Sequence, residues 1–221
     1  MTRPLLVDLF CGAGGASMGY YRAGFNILGV DHKPQKNYPF EFIQGDVFEV
    51  WDDLPHDDIA AYAASPPCQA YSVTKSLHDN EHPDLVAATR KLLLRTGKPY
   101  VIENVPGAPL INPLTLCGSM FGLNVYKHRR FESVPILWWP PSQCQHNGTY
   151  GNIAKMRSTG RTTCPTLAEF DFIDVTGKGF RVADGRRAMG IDWMVTNELS
   201  QAIPPAFTEW IGRQLIQVVN R

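Results

Sequence analysis

The chain lacks three features that would each assign it to a special class of protein. No apolar run is long enough to cross a bilayer. The 21 basic and 21 acidic side chains cancel, which disfavours a protein that coats nucleic acid by charge alone. The five cysteines are odd in number and widely scattered, unlike a disulfide framework. The start of the chain shows no signal-peptide pattern, so we expect a cytoplasmic protein with no membrane partner.

The composition is typical of a globular protein, with 44% hydrophobic and 19% charged residues. A chain of 221 residues is long enough to form one sizeable hydrophobic core. Apolar runs and amphipathic stretches alternate along the first half of the chain, and this alternation predicts an α/β fold with a doubly wound, mostly parallel sheet. The predicted strands cover residues 5–10, 26–30, 40–44, 59–64 and 99–103, and the predicted helices cover residues 16–23 and 83–96.

The pattern weakens after residue 130, where prolines, glycines and small polar residues become frequent. We predict a catalytic domain over residues 1–135, a small loop-rich insertion over 136–186, and helices over 187–221 that return to the first domain. Within the last two parts the sequence predicts a short strand over 170–175 and helices over 196–202 and 205–219.

A glycine-rich turn joins the first strand to the first helix at residues 8–15. Glycines let a backbone approach a ligand closely, and the following helix offers unpaired N–H groups. Ser17 stands where the dinucleotide-binding pattern requires glycine, so the turn resembles a different kind of nucleotide-cofactor site. A tight structural turn is the alternative interpretation.

Acidic residues end the next two strands, Asp31 the second and Asp46 the third. A carboxylate in the first position commonly accepts hydrogen bonds from ribose hydroxyls, and one in the next position can meet an adenine edge. Each alone is more often a plain turn or capping residue. Together, after successive strands, they favour a cofactor that contains adenosine.

Two further segments carry reactive side chains at strand ends. Pro66-Pro67-Cys68-Gln69 follows the fourth predicted strand, and it places a nucleophilic thiol where open α/β sheets bind ligands. Glu103-Asn104-Val105 ends the fifth strand, where burial would raise the pKa of the carboxyl group and suit it to proton donation. A capping or salt-bridged glutamate is the alternative.

In this order and spacing, the turn at residues 8–15, the tetrad around Cys68 and the segment starting at Glu103 resemble the cytosine-C5 DNA methyltransferase family. The resemblance implies a methyltransferase fold and S-adenosylmethionine as methyl donor. It implies that Cys68 adds to C6 of cytosine, that Glu103 orients and protonates the base, and that C5 is then methylated. In a duplex the base must first be flipped out of the stack.

The resemblance also assigns roles to single residues. Arg129 fits the last arginine of a basic family motif, whereas Lys127 replaces an arginine and so offers a point charge instead of a bidentate fork. Gln201 stands where the family commonly has asparagine. The implied catalytic residues are Cys68, Glu103 and Arg129. The implied cofactor-binding residues are Asp8, Phe10, Cys11, Gly12, Gly14, Gly15, Asp31, Asp46 and Pro66. The predicted substrate-binding residues are Pro67, Gln69, Ser72, Asn104, Lys127, Arg157 and Arg161.

DNA with a flipped cytosine is the predicted partner, and the chain is expected to be a bacterial or phage-encoded monomer without an obligate protein partner. The insertion is small for a recognition lobe, so RNA, a free cytosine nucleotide, or nucleic-acid binding without turnover stay open as alternatives. Its basic residues suit phosphate contacts, or else an ordinary solvated face. Cys144 and His146 with Cys164 fit no strong zinc spacing, so we predict no metal.

Overall fold

A seven-stranded sheet organises the protein. The computed structural model describes residues 2–67, 85–137, 140, 142–158 and 160–221. The strands are β1 (Leu5–Leu9), β2 (Asn26–Asp31), β3 (Glu41–Gln44), β4 (Ile59–Ala64), β5 (Tyr100–Asn104), β6 (Leu114–Leu116) and β7 (Arg129–Val134). Their order in the sheet is β3-β2-β1-β4-β5-β7-β6. The first five strands pair in parallel, whereas β7 pairs antiparallel with both β5 and β6. The predicted α/β fold with a mostly parallel sheet is confirmed.

Seven α-helices, two short 3₁₀ helices (Trp51–Asp53 and Gly118–Phe121) and a small second sheet complete the described structure. The α-helices are α1 (Gly15–Ala23), α2 (Val47–Val50), α3 (Leu85–Arg95), α4 (Ile153–Ser158), α5 (Val182–Met189), α6 (Thr196–Gln201) and α7 (Pro205–Val219), and the second sheet pairs β8 (Tyr150–Gly151) with β9 (Phe172–Ile173).

The five predicted strands and the predicted helices near α1, α3, α6 and α7 are present, with bounds that differ by at most two residues. The strand predicted over 170–175 is present as the shorter β9. The sequence did not predict β6, β7, β8, α2, α4 or α5.

Alternate residues of the central strands face two separate apolar layers, as a period of two requires. Leu6 of β1 packs with Tyr20 of α1 and with Phe207 and Ile211 of α7 on one face. Its neighbour Val7 belongs to the cluster on the other face. Helices therefore cover both faces of the sheet, which explains why its central strands are continuously apolar.

The predicted insertion shares an apolar cluster with the helices that follow it. Ile173 and Val175 are buried with Met189 of α5 and Leu199 of α6. The boundary predicted at residue 186 falls inside α5, because residues on both sides of it belong to one helix. The division into three parts stays a prediction. Among the described residues, no helix is both long and apolar enough to span a membrane.

We expect Gly19→Ala to destabilise the protein, because Gly19 lies where α1 crosses α7. A Cβ atom at this position would collide with the hydroxyl of Thr208 and with the backbone carbonyl oxygen of Pro205. The backbone cannot yield as a flexible side chain can, so the clash should outweigh the better helix propensity of alanine. We expect a loss of about 1–3 kcal/mol in the free energy of unfolding, measured by urea denaturation. Arg22→Ala, an exposed change in the same helix, is the control and should shift stability by less than about 0.5 kcal/mol.

Candidate active site

The order of the strands brings the sequence-predicted residues to one edge of the sheet. In a doubly wound sheet, ligands bind outside the carboxyl ends of the strands, where the strand order reverses. Here the reversal lies between β1 and β4, because the chain moves outward from β1 through β2 to β3 and then returns to β4 on its other side. Because β7 runs antiparallel to its neighbours, it begins at this same edge with Arg129.

A cavity of about 890 Å³ opens at this edge, within the size range of small-molecule sites. It includes residues from the ends of β1, β2, β4 and β5 and from the start of β7. The sequence-predicted site residues that line it are Phe10, Cys11, Gly12, Gly15, Asp31, Pro66, Pro67, Glu103, Asn104 and Arg129. The structure thus brings together ten of the predicted residues, drawn from five separate segments of the chain.

The turn after β1 holds an unusual backbone conformation. Phe10 has a φ of 59°, a left-handed value that bulky residues rarely adopt, and its ring lines the cavity. Gly12 follows with a φ of 51°, and no atom lies within 4 Å of the position a Cβ would take. The positive φ, and not crowding, is therefore what favours glycine at residue 12.

Asp31 is the carboxylate best placed to hold a cofactor. It is buried at the end of β2, its Oδ2 accepts a hydrogen bond from the backbone N–H of Gly12 at 3.0 Å, and its Oδ1 accepts one from the N–H of Lys33 at 2.9 Å. The Nδ1 of His32 also lies 3.3 Å from Oδ1. These contacts fix the carboxylate group and use part of its roughly four acceptor positions. The remaining capacity can accept hydrogen bonds from hydroxyl groups in the cavity.

The backbone before Cys68 is anchored beside the end of β5. The side-chain amide of Asn104 donates a hydrogen bond to the carbonyl oxygen of Pro66 at 2.9 Å, and the N–H of Ser65 donates to the carbonyl oxygen of Leu9 at 3.0 Å. Pro67 is the last described residue before the nucleophile candidate. The sequence predictions for Cys68, Gln69 and Ser72 lie outside the described residues.

Glu103 provides a buried carboxyl group at the cavity wall. It is only 8% exposed, and burial raises its pKa, although Arg129, Ser65 and Lys127 each act to lower it. The Nε of Arg129 lies 3.0 Å from Oε1 as an ion pair. Within the described residues, however, no hydrogen bond of good geometry reaches that oxygen. Glu103 therefore keeps a polar atom that a ligand can satisfy.

Asp8, which the sequence predicts to bind the cofactor, does not line the cavity. It is fully buried within β1 and is not among the residues that line the cavity. Its Oδ2 accepts a hydrogen bond from the hydroxyl of Ser17, which also contacts the hydroxyl of Tyr38. Burial raises the pKa of Asp8 to about 7, more than the bond from Ser17 lowers it, and the charges of Asp31 and Glu103 add to the rise. Asp8 therefore links β1 to α1 through Ser17, and its contact with a cofactor stays a prediction.

Two more predicted cofactor residues also lie away from the cavity lining. Gly14 has a φ of 83° and packs against Tyr38 and Pro39, where a side chain would not fit. Asp46 caps α2 by accepting a hydrogen bond from the N–H of Phe48 at 2.8 Å. Their contacts with a cofactor stay predictions.

The basic residues predicted to meet the substrate are dispersed. Lys127 is buried, and its Nζ donates to the carbonyl oxygen of Ser200 at 2.9 Å. Arg157 is exposed on α4, and Arg161 forms an ion pair with Glu169 on the insertion surface. None of these three basic side chains lines the cavity among the described residues. Their roles toward a substrate stay predictions.

The second wall of the cavity comes from segments that sequence reasoning did not assign to the site. Its lining includes Thr176, Met194, Asn197, Glu198, Ser200 and Gln201. The indole N–H of Trp193 donates to the carbonyl oxygen of Ala13 at 2.9 Å, which holds the start of this wall against the glycine turn. The one sequence signal was Gln201, which stands at the position where the resemblance to the family predicts an asparagine. The other residues carry no motif, because only folding brings α6 to this edge.

Solved structures share this fold over the whole chain. A structure described as a DNA modification methyltransferase encoded within an E. coli prophage covers 98% of this chain and 99% of its own, with a TM-score of 0.64 and 15% identity. The Dnmt2 methyltransferase of S. pombe covers 99% and 100%, with a TM-score of 0.62 and 12% identity. These likenesses show that the protein shares its fold with these two structures.

Sequence comparison agrees with the resemblance that the motifs predict. Residues 5–110 match the model of the C-5 cytosine-specific DNA methylases. The type II methyltransferase M.XorII of Xanthomonas oryzae pv. oryzae is 30% identical over 148 residues, covering 59% of this chain and 31% of that protein. M1.HphI of Haemophilus parahaemolyticus is 32% identical over 117 residues, covering 45% of this chain and 32% of its own. The chain thus matches about a third of the length of these curated relatives.

We expect Asp8 to make the folded state less stable as the pH rises. Its folded pKa of about 7 lies above its ordinary value of 3.8, so between these values the folded state binds a proton that the unfolded state has released. The free energy of unfolding should therefore be highest near pH 4 and fall toward pH 7, by up to about 1.4 kcal/mol per pH unit from this group. Asp8→Asn removes the titration while keeping an acceptor for Ser17. Urea denaturation at a series of pH values should show a shallower fall for the variant; parallel curves would contradict the assignment.

Proposed function

We propose that this protein transfers a methyl group from S-adenosylmethionine to C5 of cytosine in DNA. The observation that carries the proposal is the buried carboxyl group of Glu103, held beside Arg129 at the edge of the sheet where Pro66 and Pro67 lead into Cys68. The match of residues 5–110 to the family model supports the chemistry, and the bond from Asn104 to Pro66 holds the backbone that leads to Cys68 beside the end of β5.

The reaction requires that cytosine, a poor nucleophile at C5, be activated first. In the proposed step the Cys68 thiolate forms a bond to C6, and the displaced electron pair makes C5 enamine-like. Glu103 hydrogen-bonds N3 and N4 and supplies a proton there, so that negative charge on the ring is offset as it develops. A raised pKa suits this role, because it keeps Glu103 protonated closer to neutral pH.

Arg129 has two tasks in this scheme. Its guanidinium lies against Glu103, where it holds the carboxyl group in place, and it also lines the cavity, where it can contact the O2 atom of the base. After methylation the proton that Glu103 supplied returns to its carboxylate. A base removes the C5 proton, the electron pair returns to form the C5–C6 double bond, and the Cys68 thiolate leaves. Water in the cavity can serve as that base.

S-adenosylmethionine supplies an electrophilic methyl group when bound. The residues that fit it are those around the glycine turn: Asp31 has free acceptor positions for ribose hydroxyls, Phe10 offers an aromatic surface, and the N-terminal turn of α1 at Gly15 and Ala16 faces the cavity. The cavity is large enough for the group, and its lining combines apolar surface with polar groups.

DNA is favoured over RNA or a free nucleotide by the matched family, which is described as DNA methylases, and by relatives named type II methyltransferases. The insertion exposes Lys155 and Arg157 on α4 together with Arg161 shortly after it. We propose that these cations contact phosphates and hold the duplex while the target base is flipped into the cavity.

We expect labelled methyl groups to pass from S-adenosylmethionine to duplex DNA, and not to tRNA or dCMP, when the three substrates are compared side by side. Bisulfite sequencing of DNA from expressing cells then gives the sequence context. The proposal of a DNA substrate would be contradicted by faster transfer to tRNA or dCMP. Absence of transfer to all three, together with intact binding of the cofactor, would instead support a protein that binds nucleic acid without turnover.

Cys68→Ser should abolish this transfer while leaving the affinity for S-adenosylmethionine nearly unchanged, because an alcohol is far less acidic than a thiol. On DNA carrying 5-fluorocytosine the wild type should form a stable covalent adduct, since the fluorine blocks loss of the C5 substituent. The serine variant should form none. Cys11→Ser is unsuitable as a control because Cys11 lines the cavity, so Cys164→Ser is the matched variant and should behave as the wild type.

We expect Glu103→Gln to lower kcat/KM by about 10²–10⁴-fold, because glutamine keeps the shape of the side chain but cannot transfer a proton in the same way. The affinity for S-adenosylmethionine should change little. Glu49→Gln, the same change on an exposed turn of α2, should leave the rate unaltered. Steady-state kinetics with cofactor titration separate the two effects; equal rates in wild type and Glu103→Gln would remove the carboxyl group from the mechanism.

A further inference from the structure

Four side chains with metal-binding atoms converge outside the proposed active site. They are Cys117 after β6, His128 before β7, and Cys144 and His146 in the insertion, and their donor atoms all lie within 4.8 Å of one another. The Nε2 of His146 lies 3.1 Å from the Sγ of Cys144 and 3.4 Å from the Sγ of Cys117. The Nε2 of His128 lies 3.4 Å from the Sγ of Cys144.

These separations are close to those of a tetrahedral zinc site. With Zn–S bonds of about 2.3 Å and Zn–N bonds of about 2.0–2.1 Å, a sulfur and a nitrogen ligand are about 3.5 Å apart. The observed distances from nitrogen to sulfur are 3.1 and 3.4 Å, so small outward shifts would make room for an ion. Two thiolates and two imidazoles are a donor set that zinc prefers over magnesium or calcium.

Groups around the cluster support its sulfur and nitrogen atoms. The hydroxyl of Ser119 donates to the Sγ of Cys117 at 3.3 Å, and it accepts a hydrogen bond from the backbone N–H of Gln145 at 3.2 Å. The ring of Tyr126 stacks on that of His146 with centroids 4.2 Å apart. Such outer contacts orient ligands and stabilise thiolate charge in metal sites.

The segment that carries two of the four side chains is held by hydrogen bonds at Ser142, Gln145 and Thr149 and has no regular secondary structure. Residues 142–149 are all exposed and form neither helix nor strand. Cys144 and His146 nevertheless turn back toward Cys117, which is fully buried. A bound metal would supply the free energy that apolar burial does not supply here, because metal binding to such ligands is coupled to folding.

We propose that Cys117, His128, Cys144 and His146 bind one Zn²⁺ ion as a structural site. The two thiols release their protons on binding, and all four coordination positions are then filled by the protein, so no position stays open for catalysis. The ion ties the insertion to the ends of β6 and β7. His128 directly precedes Arg129, and its carbonyl oxygen accepts a hydrogen bond from the Nη1 of Arg129 at 2.9 Å, so the site also steadies the start of β7 beside the cavity.

The sequence prediction of no metal considered Cys144 and His146 with Cys164 as their partner. Cys164 does not belong to the cluster. The proposed partners, His128 and Cys117, lie 16 and 27 residues before Cys144 along the chain, so no short motif could reveal them.

The test is the metal content of the full chain, purified without chelators and dialysed against zinc and then metal-free buffer. We expect one zinc per chain by mass spectrometry of the elements. Replacement by Co²⁺ should give the intense visible bands of tetrahedral cobalt and a thiolate-to-cobalt charge-transfer band in the near ultraviolet. Cys144→Ser and His146→Ala should each lose the stoichiometric zinc, whereas Cys164→Ser, a cysteine change in the same insertion, should keep it.

Ser119→Ala is a second test variant, which is needed because replacing a zinc-binding side chain can unfold the protein. It leaves all four ligands in place, and we expect it to weaken zinc affinity by about 10–100-fold in a competition with a chromophoric chelator. The proposal is overturned by a wild type that holds no stoichiometric zinc, by equal zinc content in wild type and Cys144→Ser, or by a disulfide between Cys117 and Cys144. The readout is metal content, so it is independent of whether the protein methylates cytosine.

Discussion

Burial of the Glu103 carboxyl group beside the Arg129 guanidinium is the interaction on which the rest of the site depends. Desolvation raises the pKa of Glu103, while the adjacent cation prevents the cost of burial from becoming prohibitive. The pair exists only because β7 runs antiparallel to β5: Glu103 is opposite Phe131 in the register, so the first residue of β7 reaches the carboxyl edge of the sheet. A parallel β7 would place Arg129 at the far edge.

The remaining parts of the cavity are fixed to the same edge by a few directional contacts. Asn104 holds the backbone at Pro66, Gly12 holds the carboxylate of Asp31, and Trp193 holds the second wall against Ala13. Each contact uses a backbone group of a loop, which would otherwise be free to move. A few hydrogen bonds therefore position the described loops around the cavity, and the proposed zinc site extends this principle to the insertion.

Much of the sheet could be predicted because its central strands are short, apolar and separated by helices. Residues 59–64 form β4 with the predicted bounds, and residues 205–219 form α7 likewise. The strand β7 was missed for a physical reason. It contains the buried Glu132, whose carboxylate is neutralised by Arg90 of α3 at 2.7 Å, so its sequence does not read as an apolar strand. The helix α5 was missed because three of its eight residues are charged.

The sequence by itself determined the fold class, the resemblance to the family and the residues at the carboxyl ends of the parallel strands, because strand ends and glycine turns are local features of the chain. Only the tertiary structure decided that Asp8 binds Ser17 of α1 and does not line the cavity, that α6 forms a wall of the cavity, and that Cys117 meets His128, Cys144 and His146. These outcomes depend on contacts between segments far apart in the chain. Local patterns cannot encode such contacts, because which residues meet depends on how all the elements pack together.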